Sequence, residues 1–444
     1  MKTTTLMFIS LGCDKNLVDT EHMLGILGRE GFEFTQDETQ ADIIVINSCC
    51  FIGDAKEESI NTIIETGKLK ETGRLKGLIV CGCLAQRYAG DIRRELPEVD
   101  AIVGTTEYTR IAEAVKEVLE GNSPELVGNT DAAEYPKGER ILTGGGYSSY
   151  LKISEGCDKN CTYCIIPKVR GRYRSFPEEV LLNEARSLAE KGVKELVLVA
   201  QETTVYGRDI YGKKRLPDLL KKLCGIEGLE WIRIMYSYPE EIDDALIDVM
   251  SSEEKVCHYL DMPIQHCSDR ILRLMGRRTD RKSLEKTIKK LRERIPDIAL
   301  RTTLISGFPG ETKKDHEELL SFVEEMRFDR LGVFAYSREE DTPAASFDGQ
   351  VPVRTAKKRR DEIMSLQQRI AFEKEAGMAG REMTVMIEGS LAEDDVYVGR
   401  TYRDAPDVDG YVFLKNTPRR FMSGDLVKAR ITGANGYDLT GDII

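Results

Sequence analysis

The sequence lacks a long hydrophobic run, and it is poor in tryptophan and histidine, with one and four residues of these types. No apolar stretch approaches the roughly 20 residues that a membrane-spanning helix needs, and charged residues make up 32% of the chain. This composition predicts a soluble, folded protein and excludes a membrane-spanning one. The chain has 444 residues, too many for one ordinary core, so about three domains are expected.

An export signal is not expected either. The apolar stretch "LMFISLGC" is barely long enough for a signal peptide, and Lys2 is the only basic residue before it. Eleven cysteines without such a signal favour metal-binding or catalytic thiols over disulfides, and they predict a cytoplasmic protein. The net charge of −12 repels nucleic acid at long range and weakly favours a basic protein as partner.

Short apolar runs alternate with helix-like segments between Thr5 and Gly104, the pattern of βα units on a parallel sheet. Three of these runs end in cysteine, at Cys13, Cys49 and Cys83. The carboxyl ends of parallel strands line one edge of an open α/β sheet, so these three thiols are expected to come together.

A packing role is the alternative for each of these cysteines, because free cysteine is often a small buried apolar residue. The neighbours Cys50 and Cys81 complicate the choice of ligands. We favour Cys49 because it ends the run "IIVINSC", and Cys83 because Gly82 allows the turn that would present it.

The rest of the chain divides into four segments. Residues 136–147 are Gly-rich and predict a linker after an α/β parallel-sheet domain at 1–135. Six strand candidates separated by amphipathic stretches predict a central partial (β/α)6 barrel of the TIM type at 148–350, with its chemistry at the strands' carboxyl ends. A polar helix is expected at 351–379, and five alternating segments at 380–444 predict a small five-stranded antiparallel barrel of the OB type.

The stretch "EGCDKNCTYC" places Cys157, Cys161 and Cys164 within eight positions, directly after the first barrel strand. A structural zinc site needs four protein ligands, and no second ligand pair lies within the usual reach, so zinc is poorly supported. Three thiolates suit a four-iron cluster in which one iron lacks a protein ligand. That open iron can bind a substrate or cosubstrate directly.

This spacing, with Tyr163 just before the last cysteine, resembles the radical S-adenosylmethionine (SAM) enzymes. The resemblance implies that the open iron chelates the amino and carboxylate groups of SAM. It also implies that electron transfer breaks the sulfonium and yields a 5′-deoxyadenosyl radical.

A longer resemblance covers nearly the whole chain, in order. It is carried by the stretches "SLGCDKNLVDTE", "INSCCFI", "CGCLAQRY", "EGCDKNCTYCIIPKVRG", "YLDMPIQH", "RTTLISGFPGET", "FAYSREEDTPAA" and "GRTYRDAPDVDG". Together they resemble the radical SAM methylthiotransferases, and most closely the branch that methylthiolates an aspartate of the twelfth small-subunit ribosomal protein. The resemblance implies three modules: an amino-terminal methylthiotransferase domain, a radical SAM barrel and a TRAM domain.

The same resemblance assigns Cys13, Cys49 and Cys83 to a second 4Fe–4S cluster, which delivers sulfur, while a second SAM supplies the methyl group. It also implies an external electron donor and a sulfur donor, with both open irons facing the same substrate. Cys50 and Asp341 stand where glycine is expected in this family, and Cys50 is an alternative ligand to Cys49.

Candidate SAM contacts lie at or near the strand ends of the barrel, and Arg301 is expected to pair with the SAM carboxylate. Ordinary packing at the barrel mouth is the alternative for each. These residues are Tyr163, Gln201, Pro263, Gln265 and Arg301.

The resemblance implies that the substrate is the ribosomal protein, free or in the small subunit, or, as in the sister branch, adenosine in transfer RNA. Residues 381–444 contain eight Arg or Lys and eleven Asp or Glu, which suits a basic protein better than phosphate and makes nucleic acid an unfavoured direct substrate. Asp404, Asp407 and Asp409 are candidate substrate contacts, although a solvated turn has the same composition. A non-catalytic iron–sulfur protein that binds RNA is the alternative from another class.

Overall fold

The computed structural model describes residues 4–132, 135–136, 138–391, 396–415 and 419–444. The chain forms two compact units. The first comprises Met1–Thr143, Ser154–Phe176 and Ser337–Ala345, and the second comprises Gly144–Ile153, Pro177–Tyr336 and Ser346–Ile444. The segment with Cys157, Cys161 and Cys164 therefore belongs to the same unit as the amino-terminal strands. The domain boundaries predicted from the sequence stay predictions.

The first unit is built on a six-stranded sheet in which all neighbours are parallel, in the order β2-β1-β3-β4-β5-β6. Its elements are β1 (Thr5–Ser10), α1 (Asp14–Arg29), β2 (Glu33–Phe34), β3 (Ile43–Ser48), α2 (Gly53–Gly67), α3 (Leu69–Thr72), β4 (Gly77–Gly82), α4 (Cys83–Glu95), β5 (Ala101–Val103), α5 (Ile111–Leu119) and β6 (Glu125–Leu126). The predicted parallel sheet is confirmed.

Strands β3 and β4 are buried along their whole length. Alternate residues of β3 point to opposite faces of the sheet: Ile43 packs with α1 and α5, and Ile44 packs with α2 and α4. Because helices cover both faces, these strands are continuous apolar runs rather than alternating ones.

The chain continues through a second series of strands and helices. These are β7 (Ser148–Lys152), β8 (Ser154–Glu155), α6 (Ile166–Val169), β9 (Arg174–Ser175), α7 (Glu178–Glu190), β10 (Glu195–Val199), α8 (Arg208–Tyr211), α9 (Leu216–Cys224), β11 (Trp231–Ile234), α10 (Asp244–Ser252), β12 (Val256–Asp261), α11 (Asp269–Leu274), α12 (Arg281–Arg294), β13 (Ala299–Ser306), α13 (Lys313–Met326) and β14 (Arg330–Ala335).

In the second unit, six of these strands form a parallel sheet in the order β14-β13-β12-β11-β10-β7. Each strand lies beside the next one along the sequence, which confirms the predicted βα series. Strands β8 and β9 form a separate antiparallel pair in the first unit.

Helix α14 (Val353–Ala376) is followed by a closed barrel in the order β15-β16-β17-β19-β18. Its strands are β15 (Glu382–Leu391), β16 (Val396–Thr401), β17 (Val412–Lys415), β18 (Leu426–Asn435) and β19 (Asp438–Ile443). The predicted five-stranded barrel is confirmed, but β17 and β19 pair in parallel. Strand directions cannot alternate all the way round a ring of five, so one pair must be parallel.

Within the described part of the chain, no helix is both long enough and apolar enough to cross a membrane.

Candidate functional site

Cys13, Cys49 and Cys83 follow the ends of three adjacent strands, β1, β3 and β4. Two glycines allow this edge of the sheet to be tightly packed. Gly12 has a φ of +91°, and a Cβ there would lie 2.9 Å from the Cys49 sulfur. Gly82 has a φ of +90°, and a Cβ there would lie 2.7 Å from the Ser48 carbonyl oxygen. Both positions therefore exclude any side chain.

The Cys49 and Cys83 side chains are buried, whereas Cys13 is half-buried. Burial, with the nearby Cys83 and Cys13, raises the pKa of Cys49 to about 12. Burial also raises the pKa of Cys83, although Arg170 acts in the opposite direction. Cys13 is the N-cap of α1, and Cys83 is the first residue of α4.

Buried polar side chains hold the loops that carry these thiols. The Asn16 amide donates to the carbonyl oxygens of Leu11 at 3.0 Å and Ser48 at 3.1 Å. The Ser59 hydroxyl accepts from the Cys49 N–H at 3.0 Å and donates to the Cys49 carbonyl at 2.9 Å. Sequence reasoning missed both residues, because a single Asn or Ser in a helix carries no ligand signal.

The second group of thiols lies on the loop between β8 and α6. The Cys157 N–H donates to the Gly171 carbonyl at 3.1 Å, and the Cys164 N–H donates to the Cys161 carbonyl at 3.0 Å. Burial raises the pKa of Cys164, and the adjacent Cys161 and Cys157 raise it further. The loop is anchored in the amino-terminal core, since Ile165 and Val169 pack with β3, β4 and α4.

Both groups of thiols fit an iron–sulfur cluster by the chemistry of their donors. In the described residues, no three His, Cys, Asp or Glu side chains converge closely enough to hold a single metal ion. A cluster instead binds each cysteine through a different iron, so its ligands do not converge on one point.

Cys50 is completely buried among apolar side chains of the core, and burial raises its pKa to about 12.

Arg170 was missed from the sequence, and it contacts both cysteine-bearing regions. Its side chain is 2% exposed. Its Nε donates to the Cys83 sulfur at 3.3 Å, and its Nη1 donates to Asp19 at 2.7 Å and to Glu155, two residues before Cys157, at 3.2 Å. Burial alone would lower the pKa of Arg170, but Cys83 and the two carboxylates raise it well above its ordinary value.

The structure places Gln201 two residues after β10 and Pro263 two residues after β12. Gln265 has a φ of +70°, and non-glycine residues in this left-handed region concentrate at functional sites. Tyr236, with a φ of +60°, shares this feature at the end of β11 and was not predicted. Tyr163 is half-buried, in the cysteine loop of the first unit. The role of Tyr163, Gln201, Pro263 and Gln265 as SAM contacts stays a prediction.

Arg301 is the third residue of β13 and therefore lies near the amino end of the strand, not at the carboxyl end where it was expected. Its guanidinium donates to Asp261 at 2.8 Å and lies 3.7 Å from Asp409. Arg301 therefore already has two carboxylate partners, and a SAM carboxylate would have to compete with them.

Two of the three predicted substrate carboxylates are buried. Asp404 is 2% exposed and pairs with Arg330. Asp409 accepts a hydrogen bond from the Tyr259 hydroxyl at 2.8 Å. Only Asp407 is exposed, with a φ of +60°. Intramolecular partners thus occupy Asp404 and Asp409, so a contact between substrate and an exposed carboxylate stays a prediction for Asp407.

Asp341, which stands where glycine was expected, has a φ of +64°. Glycine adopts this left-handed conformation without strain, whereas an aspartate tolerates it at some cost. The backbone at this position therefore has a shape that favours glycine over the aspartate present.

Three family profiles match the chain in separate segments. Residues 5–104 match a family described as "Uncharacterized protein family UPF0004", residues 151–323 match the "Radical SAM superfamily", and residues 379–444 match a "TRAM domain". The three segments correspond to the amino-terminal sheet, the central sheet and the closed barrel. Together they include all six candidate cysteine ligands.

Curated relatives match over nearly the whole chain. A protein of Lachnoclostridium phytofermentans, named "Ribosomal protein uS12 methylthiotransferase RimO", is 61% identical over 436 residues, which cover 98% of this chain and 99% of the relative. A protein of Clostridioides difficile with the same name is 49% identical over 441 residues, covering 98% of each chain.

Solved structures show a similar fold at low sequence identity. The radical SAM methyltransferase TsrM from Kitasatospora setae, with tryptophan and a SAM analogue bound, has a TM-score of 0.56 at 15% identity, covering 77% of this chain and 75% of its own. The cobalamin-dependent SAM radical enzyme OxsB has a TM-score of 0.54 at 13% identity, covering 81% and 56%. These likenesses concern the fold alone.

Proposed function

We propose that this chain, which belongs to the RimO family of ribosomal protein uS12 methylthiotransferases, adds a methylthio group to the β-carbon of an aspartate in uS12. The observation that carries this proposal is the 61% identity to a protein of that name over 98% of the chain. The six cysteines at the two candidate cluster sites support it, because the chemistry needs each of them.

Two 4Fe–4S clusters and SAM are the proposed cofactors. Cys157, Cys161 and Cys164 would hold one cluster, and Cys13, Cys49 and Cys83 the other, each with one iron free of protein ligands. When bound, these groups supply the one-electron chemistry that breaks an unactivated C–H bond, together with the sulfur and methyl group that replace the hydrogen.

The protein's own residues position these groups and exclude water. Burial of Cys49 and Cys83 keeps solvent from the sulfur ligands, and the Asn16 hydrogen bonds fix the loops before Cys13 and Cys49. This arrangement supports precise placement, on which transfer between a carbon and a nearby sulfur depends.

The proposed partner is uS12, free or in the small ribosomal subunit, and this substrate makes the cytoplasm the proposed compartment. The excess of acidic residues at 381–444 supports a basic protein substrate over transfer RNA. An external electron donor and a sulfur donor are required in addition, because the chain itself supplies neither electrons nor sulfur for repeated turnover.

The test is a reaction of anaerobically reconstituted protein with SAM, a reductant, sulfide and either small ribosomal subunits or transfer RNA. We expect a methylthio group on one aspartate of uS12 by mass spectrometry, and its loss in Cys157→Ala and in Cys13→Ala. Methylthioadenosine as the sole modified product would contradict the substrate. If wild-type protein forms no 5′-deoxyadenosine from SAM, the non-catalytic RNA-binding alternative is favoured.

A further inference from the structure

One buried arginine links all three loops that carry the amino-terminal thiols. Arg170 donates from Nε to the Cys83 sulfur at 3.3 Å, and from Nη2 to the Asn16 side-chain oxygen. The Asn16 amide nitrogen in turn donates to the carbonyls of Leu11 and Ser48. Leu11 lies two residues before Cys13, and Ser48 directly precedes Cys49. The Arg170 guanidinium thus contacts the Cys83 sulfur directly, and through the Asn16 side chain it is linked to the loops before Cys13 and Cys49.

The fixed shape of the guanidinium explains why an arginine suits this position. Its five N–H donors lie in one plane at fixed directions. Here they are divided between a sulfur, an amide and the carboxylates of Asp19 and Glu155. The two carboxylates fix the orientation of the plane, so that Nε faces Cys83. A lysine ammonium in the same place could not keep all of these donors aligned.

We propose that Arg170 is a positioning residue for the amino-terminal cluster, holding the Cys83 sulfur as a ligand and stabilising the reduced state of the cluster. This inference rests on the proposed function, in which Cys83 is a ligand. Hydrogen bonds to cluster sulfurs and nearby positive charge both favour the reduced, more negative state. Loss of the Arg170 side chain should therefore make the reduction potential more negative.

The test isolates the amino-terminal cluster by replacing Cys157, Cys161 and Cys164 with alanine in the full-length chain. In that background we compare the parent with Arg170→Gln and Arg170→Lys after anaerobic reconstitution with iron and sulfide. Iron and sulfide content and an EPR-monitored redox titration are measured for each. We expect the most negative potential for Arg170→Gln, and for Arg170→Lys, which keeps the charge, a potential between those of Arg170→Gln and the parent.

Arg93→Gln is the matched control. Arg93 lies on the same helix as Cys83, but it donates to backbone carbonyls of Val99, Asp100 and Pro124. Its replacement should leave the potential unchanged. If Arg170→Gln retains no cluster, the reduction potential of Arg170→Lys is compared with that of the parent. An unchanged potential in Arg170→Lys would then overturn the role of Arg170.

The outcomes separate this inference from the proposed function. A parent without any iron would overturn the two-cluster proposal and this inference with it. A loaded parent whose potential is the same in both Arg170 variants would overturn only the role of Arg170. A purely structural ion pair with Asp19 and Glu155 would lower stability without moving the potential.

Discussion

The Tyr259 hydroxyl donates a hydrogen bond to the Asp409 carboxylate at 2.8 Å, and this bond joins strand β12 of the central sheet to the loop after β16. The ion pairs of Arg330 with Asp404 and of Arg400 with Glu195 join the same two parts of the second unit. Buried charges are costly unless they are paired, so these contacts fix the closed barrel to the central sheet.

Replacing Asp404 by alanine should destabilise the second unit. Arg330 would remain buried with one partner fewer, and breaking a buried ion pair costs about 3 kcal/mol of the free energy of unfolding. Urea unfolding of the protein without cofactors would measure the change. Asp407→Asn is the control, because Asp407 is exposed and asparagine also tolerates its φ of +60°, and it should leave the midpoint unchanged. Equal midpoints for the two variants would contradict the structural role of Asp404.

Gly12→Ala should prevent loading of the amino-terminal cluster. The added Cβ would lie 2.9 Å from the Cys49 sulfur, at a φ of +91°, so the two ligand loops must separate. We expect the iron content per chain to fall by about half. Gly90→Ala on helix α4 is the matched control, since a Cβ there meets nothing within 4 Å. A full iron complement in Gly12→Ala would show that the turn tolerates a side chain.

Cys49→Ala and Cys50→Ala should differ in iron content, which tests the alternative ligand. Cys50 packs in the core with Ile46, Ile63 and Val80, whereas Cys49 contacts the Gly12 turn. Iron and sulfide analysis should show the loss of one cluster in Cys49→Ala and two clusters in Cys50→Ala. The reverse pattern would reassign the ligand to Cys50.

His266 should make stability depend on pH. Burial lowers its pKa to about 3, and its Nδ1 accepts from the N–H groups of Cys267 and Ser268, each at 2.9 Å. The folded state therefore stays unprotonated at this site while the unfolded state takes up a proton below pH ~6.5. Stability is lost as the pH falls from ~6.5 towards 3.

The matched variant for this prediction is His266→Asn, which keeps an acceptor but does not titrate. Between pH 6 and 4, the wild type should lose about 1.4 kcal/mol per pH unit more than the variant. Urea unfolding at several pH values measures this difference. Parallel pH profiles for the two proteins would show that His266 does not contribute.

Charge reversal at Asp407 should weaken substrate binding without affecting chemistry. An exposed ion pair contributes less than ~1 kcal/mol, so Asp407→Lys should raise the KM for uS12 about threefold and leave kcat unchanged. The effect should shrink at high salt. Asp348→Lys, a second exposed position of the same unit, is the control and should keep the wild-type KM. Identical kinetics for both variants would remove Asp407 from the substrate contacts.

The main strands of the two sheets, their parallel direction and the position of each candidate cysteine ligand relative to them could be predicted from the sequence. Runs such as "IIVINS" and "GLIVCG" are buried on both faces, and this burial leaves a local pattern that needs no knowledge of the fold. The cysteine spacing of the 157–164 loop is similarly local, since three ligands of one cluster lie within eight residues.

Only the tertiary structure assigned partners to the charged residues. Arg170 meets Cys83 across 87 residues, and Arg330 meets Asp404 across 74, and no local pattern marks either pair. The turn "RDAPDVDG" looks solvated because its composition is that of an exposed loop, yet two of its carboxylates are buried against arginines of the central sheet. Hydrophobic periodicity is a local property of the sequence and can be recognised without the fold. The partner of a buried charge, in contrast, depends on which distant segments the fold brings together.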